Sequence, residues 1–448
     1  MAREALEQQS DGYLNRTPIF QYILVSLLFP LWGAAASLND ILITQFKSVF
    51  SLSDFASALV QSAFYGGYFL IAIPASLVIR KFSYKIAILT GLIFYILGCT
   101  LFFPASHMAT YLMFLFALFA IAIGLSFLET SANTYSSLIG SKKYATLRLN
   151  ISQTFYPLGA ILGILLGKYL IFGNGDSLKE QMAKMPAAEA HAFGLRMLQH
   201  TLSPYRFLVF VLAAVLILFL LTRFPKCKSK ENLDSAVKKA GIGETLKHLS
   251  SNKHYRRGIA AQFIYVGMQV TVWSFTIRLA LDLNPQINER SASNFMVYSY
   301  IAFFVGKFIA NFLMARLSPN KVLLSYSIVG SFLLAYVVLV PNMSAVYASI
   351  AVSVMFGPCW ATIYARTLEV VKEKKYVEMA GAVLVMSIIG GAIIPAVQGY
   401  VSDLLGSMRL SFIVPMVCFI YVSYYFYGEL KNSKLATSDE LTAEALPK

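Results

Sequence analysis

Long apolar runs dominate this sequence and leave few fold classes open to it. The stretch from Ile19 to Ser37 contains no charged residue, and comparable runs recur toward the C-terminus. An apolar run of about 18 residues or more is long enough to cross a bilayer as a helix. Only 13% of the residues are charged and the mean hydropathy is +0.64, whereas a soluble domain carries about 25% charged residues. The chain is therefore predicted to be an all-α membrane protein.

The first run is predicted to be a membrane span rather than a cleaved signal peptide. It is too long, it lacks a small-residue cleavage site, and it continues into Asn39 and Asp40. Polar breaks between the runs predict twelve transmembrane helices in all. Their predicted spans are 18–46, 55–79, 84–104, 109–139, 147–172, 205–223, 257–283, 293–315, 321–341, 344–370, 377–402 and 408–428.

Lysine and arginine residues concentrate on one side of this predicted topology. The tail 1–17, the segment 224–256, the even-numbered loops and the tail 429–448 hold most of the 37 Lys and Arg residues. Cytoplasmic loops of membrane proteins are rich in these residues. Both tails and the 224–256 linker are therefore predicted to be cytoplasmic, and the 173–204 loop exterior. The net charge of +15 then reflects topology, and no nucleic acid partner is predicted.

An internal repeat divides the spans into two six-helix halves, 18–223 and 257–428. Lys142-Lys143-Tyr144 recurs as Lys374-Lys375-Tyr376, and Gly159-Ala160-Ile161 recurs as Gly391-Ala392-Ile393. Both pairs lie 232 residues apart (374 − 142 and 391 − 159). Parallel six-helix repeats are the architecture of the major facilitator fold, in which the substrate site lies between the halves near the bilayer midplane.

Two carboxylates, Asp40 and Glu129, lie within otherwise apolar predicted spans. Ionisable groups inside a membrane are costly and usually functional. Burial favours the protonated form of a carboxyl group, so that it can exchange a proton near neutral pH. Asp40 and Glu129 are therefore predicted to couple transport to protons. Two alternatives stay open, a solvated end of the first span for Asp40 and a structural ion pair for Glu129.

One lysine, Lys307, also lies inside a predicted span. A snorkelling or carbonyl-paired side chain is favoured for it over direct contact with substrate. All five histidines fall in predicted loops, so any proton coupling is expected to use carboxylates.

Amide and aromatic side chains within the spans are suited to a neutral polyol. Amides can hydrogen-bond two hydroxyl groups, and aromatic rings can stack on the C–H faces of a sugar. Helix packing is the alternative role for each of these side chains. The candidates are Asn39, Asn133, Asn150, Gln153, Gln262, Tyr265, Gln269, Trp273 and Trp360.

No cofactor and no metal site are predicted from the sequence. A phosphate-binding GxxxxGK[ST] loop is absent, so ATP is not the predicted energy source. The four cysteines are scattered without metal-ligand spacing. Because no nucleophile–base or metal cluster is apparent, the protein is not predicted to be an enzyme.

Motifs in both halves resemble the L-fucose:proton symporter family. The matching stretches are Leu38-Asn39-Asp40-Ile41-Leu42, Gln61-Ser62-Ala63-Phe64-Tyr65, Leu128-Glu129-Thr130, Arg148-Leu149-Asn150, Gln153-Thr154-Phe155, Ala261-Gln262-Phe263, Tyr265-Val266-Gly267, Trp273-Ser274 and Ile388-Ile389-Gly390-Gly391. The resemblance implies that the carboxylates of Asp40 and Glu129 take part in proton coupling and sugar binding. It also implies the major facilitator fold.

Three positions depart from the family pattern. Ser37 and Tyr156 stand where the family has asparagine, and Trp360 stands where it has tyrosine. If these side chains line the pocket, its hydrogen-bonding groups differ from those of a fucose site. A preference for a monosaccharide other than fucose is therefore expected.

The combined prediction is a monomeric proton-coupled sugar symporter of the bacterial inner membrane that works by alternating access. Its predicted partners are a monosaccharide, protons and membrane lipid. A facilitator or drug/proton antiporter of the same fold stays open, as does a nutrient sensor that does not transport.

Overall fold

A computed structural model describes residues 6–10, 12–50, 54–108, 110–170, 181–182, 184–227, 241–284, 286–287 and 289–444 of the chain. Within helical segments, the side chains of residues 39–49, 54–63, 167–170, 198, 200–201, 203–204, 289–293, 374 and 432–444 lie outside this description. The described residues form an all-helical fold, as predicted.

The helices before the linker, here called the N-terminal helices, pack mainly against one another. They are α1 (Ile19–Ser26), α2 (Leu28–Val49), α3 (Asp54–Lys81), α4 (Tyr84–Met108), α5 (Tyr111–Leu138), α6 (Ala145–Leu170), α7 (Ala187–Thr201) and α8 (Ser203–Leu221). A short linker helix, α9 (Ile242–Ser251), follows.

The C-terminal helices likewise pack mainly against one another. They are α10 (Lys253–Leu283), α11 (Glu289–Met314), α12 (Pro319–Leu339), α13 (Ser344–Phe356), α14 (Cys359–Glu369), α15 (Val377–Met386), α16 (Gly390–Leu405) and α17 (Ile413–Glu444). Short 3-10 turns occur at Lys142–Tyr144, Lys374–Tyr376, Ser387–Ile389 and Leu410–Phe412.

Each of the twelve predicted spans coincides with one helix or with two consecutive helices. The tenth span is divided into α13 and α14 at Gly357-Pro358, because proline lacks the N–H that would continue the helix. The eleventh is divided into α15 and α16 by the Ser387–Ile389 turn. Among the described residues, ten segments are long and apolar enough to cross a membrane, and Tyr205–Leu221 is a shorter apolar helix.

Three of the helices named above lie wholly or partly where the sequence predicts a loop or tail. They are α7 in the predicted exterior loop, α9 in the predicted linker, and the part of α17 beyond residue 428. In α9 only Thr245 and Leu249 are buried, so its apolar face is too narrow to resemble a span. Asn252 then caps α10, since its side chain accepts hydrogen bonds from the backbone N–H groups of His254 and Tyr255, both at 3.1 Å.

Large apolar side chains cover the outer surface of the helices. On α8, Phe210 is 75% exposed and Leu221 is 79% exposed. Water would not favour so much exposed apolar area, whereas lipid chains would accept it. These side chains identify the lipid-facing surface of the protein.

Glycines allow close contacts between particular helices. A Cβ atom at Gly159 of α6 would overlap the carbonyl oxygen of Pro30 in α2, and one at Gly33 would overlap the carbonyl oxygen of Tyr156. Farther along the chain, a Cβ at Gly357 would lie 2.6 Å from the backbone nitrogen of Lys307. Small residues at such positions permit helix backbones to approach each other inside a membrane.

The N-terminal and C-terminal helices meet near the two 3-10 turns of the repeated Lys-Lys-Tyr motif. We call this side of the molecule the basic end. The contacts there are Thr134 Oγ1 to Tyr364 Oη at 2.8 Å, Asn150 Nδ2 to Thr362 Oγ1 at 3.1 Å, Ser76 Oγ to Met379 Sδ at 3.6 Å, and Thr146 Oγ1 to Glu369 Oε1 at 3.4 Å. The two sets of helices are thus in contact at the basic end.

Candidate binding cavity

A cavity that is open to solvent lies between the N-terminal and C-terminal helices. Helices α2, α3, α5 and α6 contribute one wall, and α10, α11, α14 and the Ser387–Ile389 turn contribute the other. Its lining residues are Trp32, Ala36, Phe64, Tyr65, Tyr68, Glu129, Gln153, Tyr156, Val266, Gln269, Val270, Trp273, Phe303, Lys307, Trp360 and Ile388. The chain has three tryptophans, and all of them line this cavity.

Glu129 places a carboxylate on the α5 wall of the cavity. The residue is 7% exposed, and its carboxylate interacts with the hydroxyl group of Tyr68 from α3. No ion pair to Glu129 occurs among the described residues. A buried carboxylate with one hydroxyl neighbour is far more easily kept protonated than ionised.

A short hydrogen-bonded chain positions the amide of Gln153. Asn133 lies one helical turn after Glu129, and its Nδ2 donates to the Glu129 carbonyl oxygen at 2.8 Å. The Nε2 of Gln153 donates to the Oδ1 of Asn133 at 2.9 Å. Gln153 reaches the cavity, whereas Asn133 supports it from α5. The carbonyl oxygen of the Gln153 side chain is the atom left to accept a hydrogen bond.

Aromatic rings from α10, α11 and α14 form the opposite wall. Trp273 Nε1 donates to Ser353 Oγ at 3.1 Å, which fixes the plane of the indole. Phe303 packs edge-on against Trp273, with 5.2 Å between ring centroids. Trp360 stacks on Tyr364, one turn later in α14, at 5.1 Å and 13°. These rings present flat apolar faces of the kind that pack on the C–H surface of a sugar.

Tyr156 and Phe303 connect the two walls. Tyr156 belongs to α6 and Phe303 to α11, and their rings meet edge-to-face with centroids 6.5 Å apart. This contact lies within the lining, so a ligand in the cavity would touch residues of both sets of helices.

Six of the side chains predicted as site residues line the cavity. They are Glu129, Gln153, Tyr156, Gln269, Trp273 and Trp360. The side chains of Asn39 and Asp40 lie outside the described residues, so the structure does not place them.

The other five predicted side chains lie elsewhere among the described residues. Ser37 donates to the carbonyl oxygens of Gly33 and Ala34 in its own helix, and Asn150 contacts Thr362 at the basic end. The Tyr265 hydroxyl donates to the Phe356 carbonyl oxygen at 3.0 Å. Asn133 holds Gln153, and Gln262 is fully buried without a hydrogen-bond partner in the described part of the chain.

Several lining residues were not predicted from the sequence. Tyr65 and Tyr68 flank Gly66 and Gly67 in α3, and neither phenol was predicted to be a site residue. Gly67 packs closely against α5, since a Cβ there would lie 2.5 Å from that of Ala122. The missed signal was the pair of phenols three residues apart on the same helix face.

Lys307 also lines the cavity, although direct contact with substrate was not the role favoured for it from the sequence. It is 2% exposed, and its Nζ lies 4.7 Å from the centroid of the Phe303 ring. It makes no hydrogen bond to a carbonyl group within the described residues and does not reach the surface. Neither of the arrangements favoured from the sequence, snorkelling or carbonyl pairing, is therefore observed.

The described residues contain no group of three or more His, Cys, Asp or Glu side chains placed to hold a metal ion. The polar groups on the residues that line the cavity are one carboxylate, two amides, phenols, indole N–H groups and one ammonium group. Such a set can hydrogen-bond a small polar molecule and can exchange a proton with it or with water.

Comparisons with known proteins identify the family. The model of the Major Facilitator Superfamily matches residues 19–286. The chain is 34% identical to the L-fucose-proton symporter of Escherichia coli, over 92% of this chain and 93% of that protein. It is 30% identical to a glucose/galactose transporter of Brucella abortus, over 91% of this chain and 93% of that protein.

Solved structures agree with this family. The crystal structure of the transporter FucP in the outward conformation matches with a TM-score of 0.82 and 34% identity, covering 91% of this chain and 98% of that one. A human organic anion transporter shares the fold at 12% identity, with a TM-score of 0.64 over 90% of this chain and 98% of that one. The chain belongs to the major facilitator superfamily, within the family of the L-fucose-proton symporters.

Proposed function

We propose that this protein is a proton-coupled symporter that imports a monosaccharide across the bacterial inner membrane. The observation that carries the proposal is Glu129, a buried carboxylate on the wall of a cavity lined by aromatic rings and amides. The carboxylate supplies a proton site, and the rings and amides supply a sugar site. Because both border the same space, occupancy of one affects occupancy of the other.

Proton binding is the step assigned to Glu129. An ionised carboxylate with little solvent exposure is costly, so the proton stays on until water or a polar ligand reaches the group. Asp40 is proposed as the second proton-coupling residue, on the basis of its place within an apolar run and the family resemblance.

Sugar binding is assigned to the ring-lined space next to Glu129. The named relatives transport L-fucose or glucose and galactose, which supports a hexose or deoxyhexose as substrate. Two of the three departures from the fucose symporter pattern, Tyr156 and Trp360, line the cavity. They replace an amide by a phenol and a phenol by an indole, so we expect a preferred sugar other than fucose.

Alternating access is the proposed mechanism, with 18–223 and 257–428 as the two moving halves and 224–256 as their linker. The basic end is proposed to be cytoplasmic, with both tails on that side, because it carries the repeated Lys-Lys-Tyr motifs. We propose that the contacts at the basic end close that side, so that sugar enters the cavity from the opposite side. The protein is proposed to act as a monomer without a cofactor and without enzymatic activity.

The test is uptake of radiolabelled sugars into proteoliposomes that contain the purified protein. The panel should include L-fucose, D-glucose, D-galactose and D-mannose, each measured with and without an inwardly directed proton gradient. We expect at least one sugar to accumulate above its external concentration only with the gradient, and a protonophore to abolish this accumulation.

The alternative functions give different results in the same assay. A facilitator equilibrates sugar with or without the gradient. A drug/proton antiporter dissipates the proton gradient when a cationic drug is added and takes up none of the sugars. A sensor binds sugar without moving it. Any of these three outcomes contradicts the proposal of proton-coupled symport.

A further inference from the structure

Lys307 is a buried ammonium group without a hydrogen-bond acceptor among the described residues. It is 2% exposed, its Nζ lies 4.7 Å from the centroid of the Phe303 ring, and the Cys359 thiol is near enough to interact with its charge. An ammonium group has three N–H donors. Leaving a buried charge without hydrogen bonds costs several kcal/mol as a general rule, which a ring face only partly offsets.

The backbone around Lys307 holds the residue in place. Gly306 of α11 and Gly357, at the break between α13 and α14, allow these segments to touch. A Cβ at Gly357 would lie 2.6 Å from the backbone nitrogen of Lys307 and 2.6 Å from the carbonyl carbon of Gly306. Because α11 is fixed here by direct backbone contact, the position of Lys307 is set by the fold.

The Lys307 side chain borders the same cavity as Glu129 and Gln153, but from the other set of helices. A molecule that fills the cavity therefore displaces water from the surroundings of Lys307. The three N–H donors then need acceptors from that molecule. Sugar hydroxyl and ring oxygens are acceptors, and they are the polar atoms that the proposed substrate brings.

We infer that Lys307 is a substrate-binding residue that donates a hydrogen bond to an oxygen atom of the bound sugar. This inference rests on the proposed function. Glu129 and Gln153 then bind the sugar from the N-terminal helices, and Lys307 binds it from the C-terminal helices. One sugar would thereby join both halves through polar contacts.

The three cavity tryptophans allow sugar binding to be measured directly. Because the chain has no other tryptophan, a change in intrinsic fluorescence on adding sugar reports the cavity alone. The variants are Lys307→Met, which removes the donors, and Lys307→Arg, which keeps charge and donors. Lys143→Met, at an exposed position of the basic end, is the matched control.

Charge-assisted hydrogen bonds are among the stronger ones in proteins. We expect Lys307→Met to weaken binding of the preferred sugar by at least about 10-fold (about 1.4 kcal/mol). Lys307→Arg should recover most of this loss, and Lys143→Met should bind like the wild type.

Monodeoxy analogues of the preferred sugar separate a direct bond from a change in cavity shape. If Lys307 donates to one oxygen, the analogue lacking that oxygen binds wild type and Lys307→Met with the same affinity. For the other analogues, the affinities of the wild type and of Lys307→Met should differ as much as they do for the complete sugar. The inference is overturned if Lys307→Met lowers the affinity for every analogue by the same factor. It is also overturned if Lys307→Met binds all the sugars within twofold of the wild-type affinity.

A measurement on the wild-type protein avoids any dependence on variant folding. Reductive methylation followed by mass spectrometry should modify Lys307 more slowly with saturating sugar present, while Lys143 is modified at an unchanged rate. Sugar that binds but leaves Lys307 unprotected contradicts the inference and leaves the proposed function standing. A wild-type protein that binds none of the sugars contradicts the proposed function itself, and this inference with it.

Discussion

Glu129 is the residue whose chemistry depends most on its surroundings. Its carboxylate is buried beside the Tyr68 hydroxyl, and the residue one turn later, Asn133, is engaged with Gln153. A proton arriving at Glu129 removes a charge from the cavity wall, and a proton leaving restores it. Sugar affinity and proton occupancy are therefore expected to change together.

We predict that Glu129→Gln abolishes uphill sugar uptake driven by a proton gradient. Glutamine has nearly the size of a protonated glutamate but cannot release a proton. Counterflow, in which external labelled sugar exchanges for internal unlabelled sugar, should persist because exchange requires no net proton release. Both activities are measured in proteoliposomes, and Asp40→Asn is expected to behave in the same way.

The matched control for this experiment is Glu189→Gln, which neutralises an exposed glutamate in α7. Its uphill uptake should equal that of the wild type. Uphill accumulation that survives in both Glu129→Gln and Asp40→Asn contradicts the assignment of proton coupling to these carboxylates.

Sequence reasoning located the cavity residues unevenly, for a physical reason. A charge inside an apolar run is conspicuous, so Glu129 could be predicted to be functional. Whether an amide faces a cavity or a neighbouring helix depends on helix rotation. Gln153 and Gln269 line the cavity, whereas Asn150 faces Thr362. The aromatic residues Trp32 and Tyr68 resemble ordinary core residues until the helices are packed together.

At the scale of single elements, glycines hold α2 and α6 in close contact. A Cβ atom at Gly159 or at Gly33 would overlap a carbonyl oxygen of the partner helix, and one at Gly163 would overlap the Ser37 hydroxyl oxygen. Side chains from the same two helices, Trp32 and Tyr156, line the cavity. The spacing between α2 and α6 therefore sets the shape of one cavity wall.

We predict that Gly159→Ala destabilises the protein, because a Cβ there would overlap the Pro30 carbonyl oxygen and force the two helices apart. Overpacking of this kind typically costs about 1–3 kcal/mol. Gly66→Ala is the matched control, since a Cβ at Gly66 meets nothing within 4 Å. The melting temperature in detergent should fall by several degrees for Gly159→Ala and stay unchanged for Gly66→Ala. Equal melting temperatures for Gly159→Ala and Gly66→Ala would show that α2 and α6 can move apart without a loss of stability.

The helix boundaries could be predicted from the sequence where hydropathy changes sharply. Where hydropathy changes little, the predicted boundaries were wrong. Span three, predicted as 84–104, begins at Tyr84 as expected. By contrast, α9 and the extension of α17 to Glu444 lie in polar sequence, where helix formation leaves no apolar signal. The division of the tenth span at Pro358 depends on a local backbone effect that hydropathy does not report.

For the molecule as a whole, the orientation across the membrane follows from the distribution of basic residues. We predict that the linker helix α9 lies in the cytoplasm and that α7 lies outside. Native Cys227 is buried, so it would report poorly on either side. Ser250→Cys and Ala188→Cys are better reporters, because both positions are exposed.

These single cysteines should be placed in a cysteine-free background and labelled in intact cells with an impermeant maleimide. We expect labelling at 188 and none at 250 until the membrane is permeabilised. Labelling at 250 with protection at 188 in intact cells would reverse the orientation proposed here.

The contacts between the N-terminal and C-terminal helices at the basic end have an electrical consequence. Thr134 with Tyr364 and Asn150 with Thr362 are pairs of neutral groups. Glu369, which meets Thr146, is already paired with Arg366 of its own helix at 2.8 Å. Separating the halves at these contacts moves no net charge, and membrane voltage does work only on displaced charge, about 2.3 kcal/mol per charge per 100 mV. Membrane voltage therefore does no work on these contacts, and we expect it to act on transport through charged groups elsewhere, such as Glu129 and Lys307 of the cavity.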